Sequence, residues 1–202
     1  MYQYKVAPEL SHQFPQLVID YVKGNKALSA FVTDFPSIAA YRDIIKRRNY
    51  SSETRQTLCN VLNKKYLELG LLNGADDDLV RANLNLLKQE NTFTVCTGHQ
   101  LNIFTGPLYT IYKVITTIKL AEELRRAYPE NNFVPVFWLA TEDHDFDEIN
   151  HFHLFGKTFT WPYPDAVQGK PVGRLSTSGL DVILEELKNL RIPEDLLQVF
   201  ES

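Results

Sequence analysis

The chain has 202 residues, 44 % of them apolar, and a formal net charge of −4. That length allows one domain or one and a half, and the apolar fraction is enough for a packed core rather than a disordered chain. The acidic balance argues against a nucleic-acid or anionic-membrane surface, which needs a basic face, and no window approaches the run of about eighteen apolar residues that a membrane span requires.

Residues 1–90 read as a helical segment. The stretch Pro15 to Val22 ends at Gly24. Asp34-Phe35-Pro36 is expected to open a helix running toward Arg48, with proline in its first turn. Ser51 caps the next helix, whose apolar positions Leu58, Val61, Leu62, Tyr66 and Leu69 follow helical spacing until Gly70 stops it. Asp76-Asp77-Asp78 places carboxylates at the favourable end of a further helix, with Leu79, Leu86 and Leu87 as its apolar residues. Lys46-Arg47-Arg48 is too short for a binding tract and reads as a solvated helix end.

The character changes at Asn91. Thr92 to Cys96 is β-branched and aromatic and predicts a strand. A loop follows through Gly106. Pro107 then suits the first position of a helix reaching about Ala127, about 30 Å long, with Leu108, Ile111, Ile115, Ile118 and Ala121 as its apolar stripe. Phe133 to Ala140 is continuously apolar, the pattern of a parallel strand buried on both faces. Strand, helix and strand make one right-handed βαβ unit. Residues 151–161 suggest a further strand, and the tail from Gly179 is helical with a break at Pro193. Cys59 and Cys96 are too far apart in sequence for a redox or metal motif, which fits a reduced, cytoplasmic protein. Cys96, inside a core strand, is expected to be an inert buried thiol.

Two patches stand at the carboxyl ends of the predicted strands, where open α/β sheets hold their ligands. In the first, Thr97 to Pro107, Gly98 and Gly106 free the backbone, and His99, Thr105 and the amides opening the helix, Leu108 and Tyr109 among them, offer donors to a phosphate or carboxylate. It is neither a Walker loop nor a dinucleotide glycine pattern. Its bland alternative is a tight turn that only starts the helix. The second patch carries Glu142, Asp143, Asp145, Asp147 and Glu148 around His144. Two like charges about 4 Å apart repel by about 4 kcal/mol at an effective dielectric of about 20, so the cluster must be solvated, partly protonated, or neutralised by a metal, a substrate ammonium, or a Lys or Arg. His151 and His153 alternate downstream without a zinc signature, so no metal ligand set is assigned.

Thr97-Gly98-His99-Gln100, Phe104 to Lys113, and Pro135 to Ala140 running into Glu142 to His151 closely resemble the bacillithiol-biosynthesis cysteine-adding enzymes, and Pro171-Val172-Gly173-Arg174 fits as well. The resemblance is strongest over residues 92–175. It implies a ligase that joins the carboxyl group of cysteine to the amine of glucosaminyl-malate. It also implies a Rossmann-like parallel sheet related to the nucleotide-binding core of class I aminoacyl-tRNA synthetases, here the first, truncated part of that domain over residues 91–202, preceded by the helical segment 1–90. By position, Gly98-His99-Gln100 with Thr105-Gly106 is the counterpart of the His/Gly motif of those synthetases, and Asp143-His144-Asp145 resembles an Asp-x-His signature. No Lys-Met-Ser-Lys-Ser loop is present.

On this reading Asp143, His144 and Asp145 are the expected catalytic residues. Thr97, Gly98, His99, Gln100, Asn102, Thr105, Gly106, Tyr109, Asp147 and His151 are expected to bind nucleotide or substrate. ATP or ADP is the implied cofactor, activating the carboxyl as an adenylate or acyl phosphate, with Mg²⁺ a candidate counter-ion for the acidic patch. Cysteine and glucosaminyl-malate are the expected small-molecule partners, with neither nucleic acid nor membrane. The family's C-terminal coiled coil, absent from these residues, implies a homodimer. The alternatives are a non-catalytic nucleotide- or thiol-binding module and a metal-dependent hydrolase.

Overall fold

A computed structural model describes residues 7–72, 77–104, 106–162, 169–190 and 192–201. The chain divides into two compact units: Met1–Phe93 with Ala127–Asn131, and Thr94–Arg126 with Asn132–Ser202.

The first unit is helical, in the order α1 (Pro8–Ser11), α2 (Gln16–Lys23), α3 (Tyr41–Arg47), α4 (Ser52–Glu68) and α5 (Asp78–Leu87). Gly24 ends α2 in the left-handed conformation, and the Ser51 hydroxyl accepts from Thr54 N at 3.1 Å to start α4, both as the sequence suggests. The helix expected from Asp34 starts later. Ser37 caps a 3-10 turn, Ile38–Ala40, that leads into α3, while Asp34 pairs with Arg47. Along α4 the buried residue is Cys59, and Leu58, Val61 and Leu69 of the predicted stripe are exposed. Along α5 Leu84 and Leu87 are buried and Leu79 is exposed. Arg55 ties the unit together: its guanidinium donates to the carbonyls of Leu87, Glu90 and Thr92 at 3.3, 3.2 and 3.0 Å. Tyr128, from the short returning segment, donates its hydroxyl to Ile38 O at 2.7 Å.

The second unit holds β1 (Thr92–Gln100, whose first two residues belong to the helical unit), α6 (Leu108–Ala127), β2 (Asn132–Ala140), α7 (Phe146–Ile149), β3 (His151–Leu154), β4 (Lys157–Thr160), α8 (Leu180–Lys188) and α9 (Glu194–Glu201). β1 and β2 form a two-stranded parallel sheet with α6 as the crossover, an α/β arrangement as expected. Arg125, near the end of α6, donates from Nε to Phe133 O at 2.8 Å and so clasps the crossover to the start of β2. The region predicted as one strand after residue 150 is a hairpin. β3 and β4 pair antiparallel, with Phe152 opposite Phe159 and His153 opposite Thr158. Phe155 and Gly156, both at positive φ, make the two-residue turn that suits the twist of the strands. Phe152 stacks on Phe159 with ring centroids 5.1 Å apart, while His151 and His153 face outward. Phe159, Trp161, Ile183, Leu187 and Ile103 are buried together as the core of this unit.

Four expectations fail here, in whole or in part. β1 runs on to Gln100, so Thr97 to Gln100 are strand rather than loop. Cys96 is exposed, whereas Cys59 is the buried thiol, its Sγ donating to Leu84 O at 3.5 Å. Most of the α6 stripe is exposed: Leu108, Ile111, Ile115 and Ile118 are 63, 40, 43 and 42 % exposed, and of the predicted positions Ala121 is buried, on a covered face it shares with Thr117 and Leu124. β2 likewise buries Phe133 and Val134 but exposes Trp138 and Leu139, so it is not covered on both faces. For α6 and β2 the hydrophobic pattern identifies the element but not which of its faces is covered.

Candidate functional site

Both polar patches are moored in the same apolar core. Ile103 is a member of that core, and Phe104 and Phe146 pack against it. Phe104 meets Phe152 with centroids 5.1 Å apart, and Phe146 meets Trp161 at 5.3 Å. Burying these residues removes apolar surface from water and fixes where the polar residues between them emerge.

The first patch closes on itself through side chains. The His99 imidazole is buried, with 8 % of the residue exposed. Its Nε2 meets the Tyr109 hydroxyl, and its Nδ1 lies 3.0 Å from Gln100 O. Asn102 Nδ2 donates to the same carbonyl at 2.9 Å and lies 2.8 Å from His99 Nδ1. Gly106 has a φ of +66°, and a Cβ there would fall 2.6 Å from Asn102 Cγ, so glycine is needed both for the turn and for the room Asn102 occupies. Lys113 reaches back from α6 and donates to Gly98 O at 3.2 Å, with Nζ 5.0 Å from the centre of the Tyr109 ring.

The second patch is held mainly by main chain. Asp143 Oδ1 accepts from the amides of His144 and Asp145 at 2.7 and 3.1 Å. Asp145 Oδ1 accepts from Glu148 N at 3.2 Å and caps α7. From the far side, the 3-10 turn Val172–Arg174 donates Val172 N to Asp143 O at 2.7 Å and Gly173 N to Thr141 O at 2.9 Å. This approach tolerates no side chain: a Cβ on Gly173 would lie 2.5 Å from Thr141 Cβ and 2.9 Å from its carbonyl oxygen.

One side-chain hydrogen bond joins the patches. Gln100 Nε2 donates to Asp143 Oδ2 at 2.8 Å. With the Gln100 amide, the two backbone N–H groups and the neighbouring His144 all favouring its charged form, the Asp143 carboxyl lies below its ordinary value of 3.8. Each of its oxygens is already an acceptor. Gln100 Oε1, by contrast, is buried without a partner among the described residues, and so is the Thr110 hydroxyl in the first turn of α6.

The expected residues therefore separate. Gly98, His99, Gln100, Asn102, Gly106 and Tyr109 are connected with Asp143, and through its chelated amides with His144 and Asp145. The His144 side chain is exposed. Thr97 lies in β1, Asp147 is exposed on α7, and His151 bonds Asn150 Oδ1 from Nδ1 at 2.9 Å. Among the described residues, no hydrogen bond links those three to the junction. Thr105 lies outside the described residues. No group of three or more His, Cys, Asp or Glu among the described residues is placed to hold a metal ion. Sequence reasoning missed Lys113 and Gly173. The i, i+4 spacing from Tyr109 to Lys113 is the signal that would have found the first.

A strand–helix–strand crossover in a parallel sheet, with its two strand-end loops tied together, is the arrangement of a Rossmann-like domain. The chain matches over residues 4–201 the family described as "Bacillithiol biosynthesis BshC, N-terminal Rossmann-like domain", and it belongs to that family. Relatives named "Putative cysteine ligase BshC" include one from Christiangramia forsetii, 48 % identical over 181 residues, which cover 88 % of this chain and 32 % of the relative. One from Flavobacterium johnsoniae is 41 % identical, covering 98 % of this chain and 37 % of the relative. One from Salinibacter ruber is 33 % identical, covering 95 and 35 %. The chain spans about a third of the length of the curated relatives it matches. No helix among the described residues is long and apolar enough to cross a membrane.

Proposed function

We propose that this chain carries part of the active site of a cysteine ligase in bacillithiol synthesis, joining the carboxyl group of cysteine to the amine of glucosaminyl-malate. The observation that carries this reading is the 2.8 Å hydrogen bond from Gln100 to Asp143, because it unites the two motifs that resemble the family. The residues divide the work by charge. The edge formed by His99, Asn102, Tyr109 and Thr110 suits an anionic group, and the Thr110 hydroxyl has no partner there among the described residues. The acidic edge from Glu142 to Glu148 suits an ammonium or amine, and Gln100 Oε1 is a buried acceptor without a partner among the described residues.

A nucleotide held by the first edge would supply activation of the carboxyl group; its phosphates fit the donors of that loop and the first turn of α6. Mg²⁺ fits poorly, since both Asp143 oxygens already accept N–H donors and no three His, Cys, Asp or Glu side chains among the described residues converge on a metal position. Asp143 is better suited to orient than to accept a proton, because its donors hold it in the charged, weakly basic form. His144, exposed and with its amide fixed by Asp143, is the base that takes the proton of the attacking amine.

The test replaces His144 by Asn in the full-length protein and follows amide formation from cysteine and glucosaminyl-malate. Loss of a general base lowers the rate by about 10²–10⁴-fold. Product formed at the unmodified rate removes His144 from the chemistry.

A further inference from the structure

Lys113 has a position no other described lysine shares. All the others are exposed, and Lys113 alone is partly buried. Several of the exposed lysines pair with a carboxylate, at Glu9, Asp43, Glu68, Glu186 and Glu185. Lys113 forms no ion pair among the described residues. Its ammonium rests on the Gly98 carbonyl at 3.2 Å and near the face of Tyr109. A carbonyl and an aromatic face stabilise a cation but do not neutralise it. Withdrawing an ammonium from water without a counter-charge is costly, and the cost is recovered when an anion arrives. An ammonium has three donors. With one on Gly98 O, two remain, at the edge of the loop that already holds His99 and Tyr109 together.

We infer that Lys113 is an anion-binding residue of this site, holding an oxyanion, either phosphate or carboxylate, against the end of β1. The inference rests on the proposed function only for the molecule to which the oxyanion belongs. A phosphate would come from a nucleotide, a carboxylate from the malate part of the acceptor. The hydrogen bond to Gly98 O sets the direction from which the charge is offered, and the Tyr109 ring covers the side chain's flank. The arrangement explains why a lysine without an ion pair among the described residues is partly buried here.

The experiment uses the full-length protein with Lys113→Met and Lys113→Arg. Binding of ADP, inorganic phosphate and L-malate is followed by calorimetry at low and high salt, alongside thermal unfolding and steady-state kinetics of amide formation. Removing a charged hydrogen-bond donor weakens binding of the bound anion by about ten- to a hundredfold in Lys113→Met, with Lys113→Arg retaining most of it and the melting temperature unchanged. The wild-type affinity falls with salt, and that of Lys113→Met does not. A loss confined to ADP and phosphate identifies a phosphate, and a loss confined to malate a carboxylate. The inference is overturned if no probe binds the wild type, if Lys113→Met binds all three normally, or if both variants lose binding together with thermal stability, which would make Lys113 a structural clasp on Gly98. A protein that binds the anion through Lys113 but makes no amide keeps this inference and removes the ligase reading.

Discussion

The loops after β1 and β2 end neighbouring strands and share a core, yet different chemistry holds each. The first is organised by side chains, with His99, Asn102 and Tyr109 satisfying one another. The second is organised by main chain, with Asp143 gathering amides on one side and the Val172–Arg174 turn donating from the other. A loop built from side chains yields to a single polar deletion. A loop braced by backbone yields only when the brace is pushed away. The acid-rich loop therefore presents its carboxylates from a fixed frame without using most of them to build it.

The largest effect should come from Gly173→Val. The new side chain must displace the turn and with it the bonds to Thr141 and Asp143, for a loss of about 2–4 kcal/mol in chemical unfolding. An unchanged midpoint would mean that this turn does not brace the second loop. Tyr109→Phe should cost less, about 1–2 kcal/mol, because it leaves the buried His99 Nε2 without its hydroxyl partner while preserving the ring. A neutral result there would erase the contrast between the loops. The smallest effect belongs to Asp143→Asn and shows as a pH dependence. Folding depresses the Asp143 carboxyl below 3.8, so its stabilisation is complete above that value and is lost as pH falls through the lower folded value. The wild type should exceed Asp143→Asn in stability at neutral pH, and the gap should close in strong acid. A gap that persists into acid would show that the carboxylate charge is not what holds the latch. Being partly exposed, this group is screened by solvent, which keeps the difference small.

Much of this was legible in the chain itself. Thr92 to Cys96 and Phe133 to Ala140 are strands, Ser51 and Gly24 cap their helices, and Pro193 separates α8 from α9. The apolar runs place both motifs at strand ends, although the first four residues of the earlier motif are still strand. What periodicity cannot show is which face of an element is covered, so Leu108, Ile111, Ile115, Ile118 and Cys96 carry a core signature yet lie exposed. The Phe155-Gly156 turn was hidden because phenylalanine at positive φ has no propensity signature. Gly173 was legible only as a motif letter, since its need for a missing side chain arises from Thr141, more than thirty positions away. The acidic cluster left its neutralising partner open in the sequence, and one donor to Asp143 is a glutamine from the other strand, which no local pattern signals.

The clasp at the end of the crossover bears on how the chain assembles. Arg125 meets Phe133 across eight positions, whereas Tyr128 meets Ile38 across ninety. Ring-closure entropy grows only logarithmically with span, and the shorter closure is cheaper by about 2 kcal/mol. The joint between α6 and β2 can thus form from its own neighbourhood, while the helical unit must wait for a distant stretch of chain to return before Tyr128 has anything to hold.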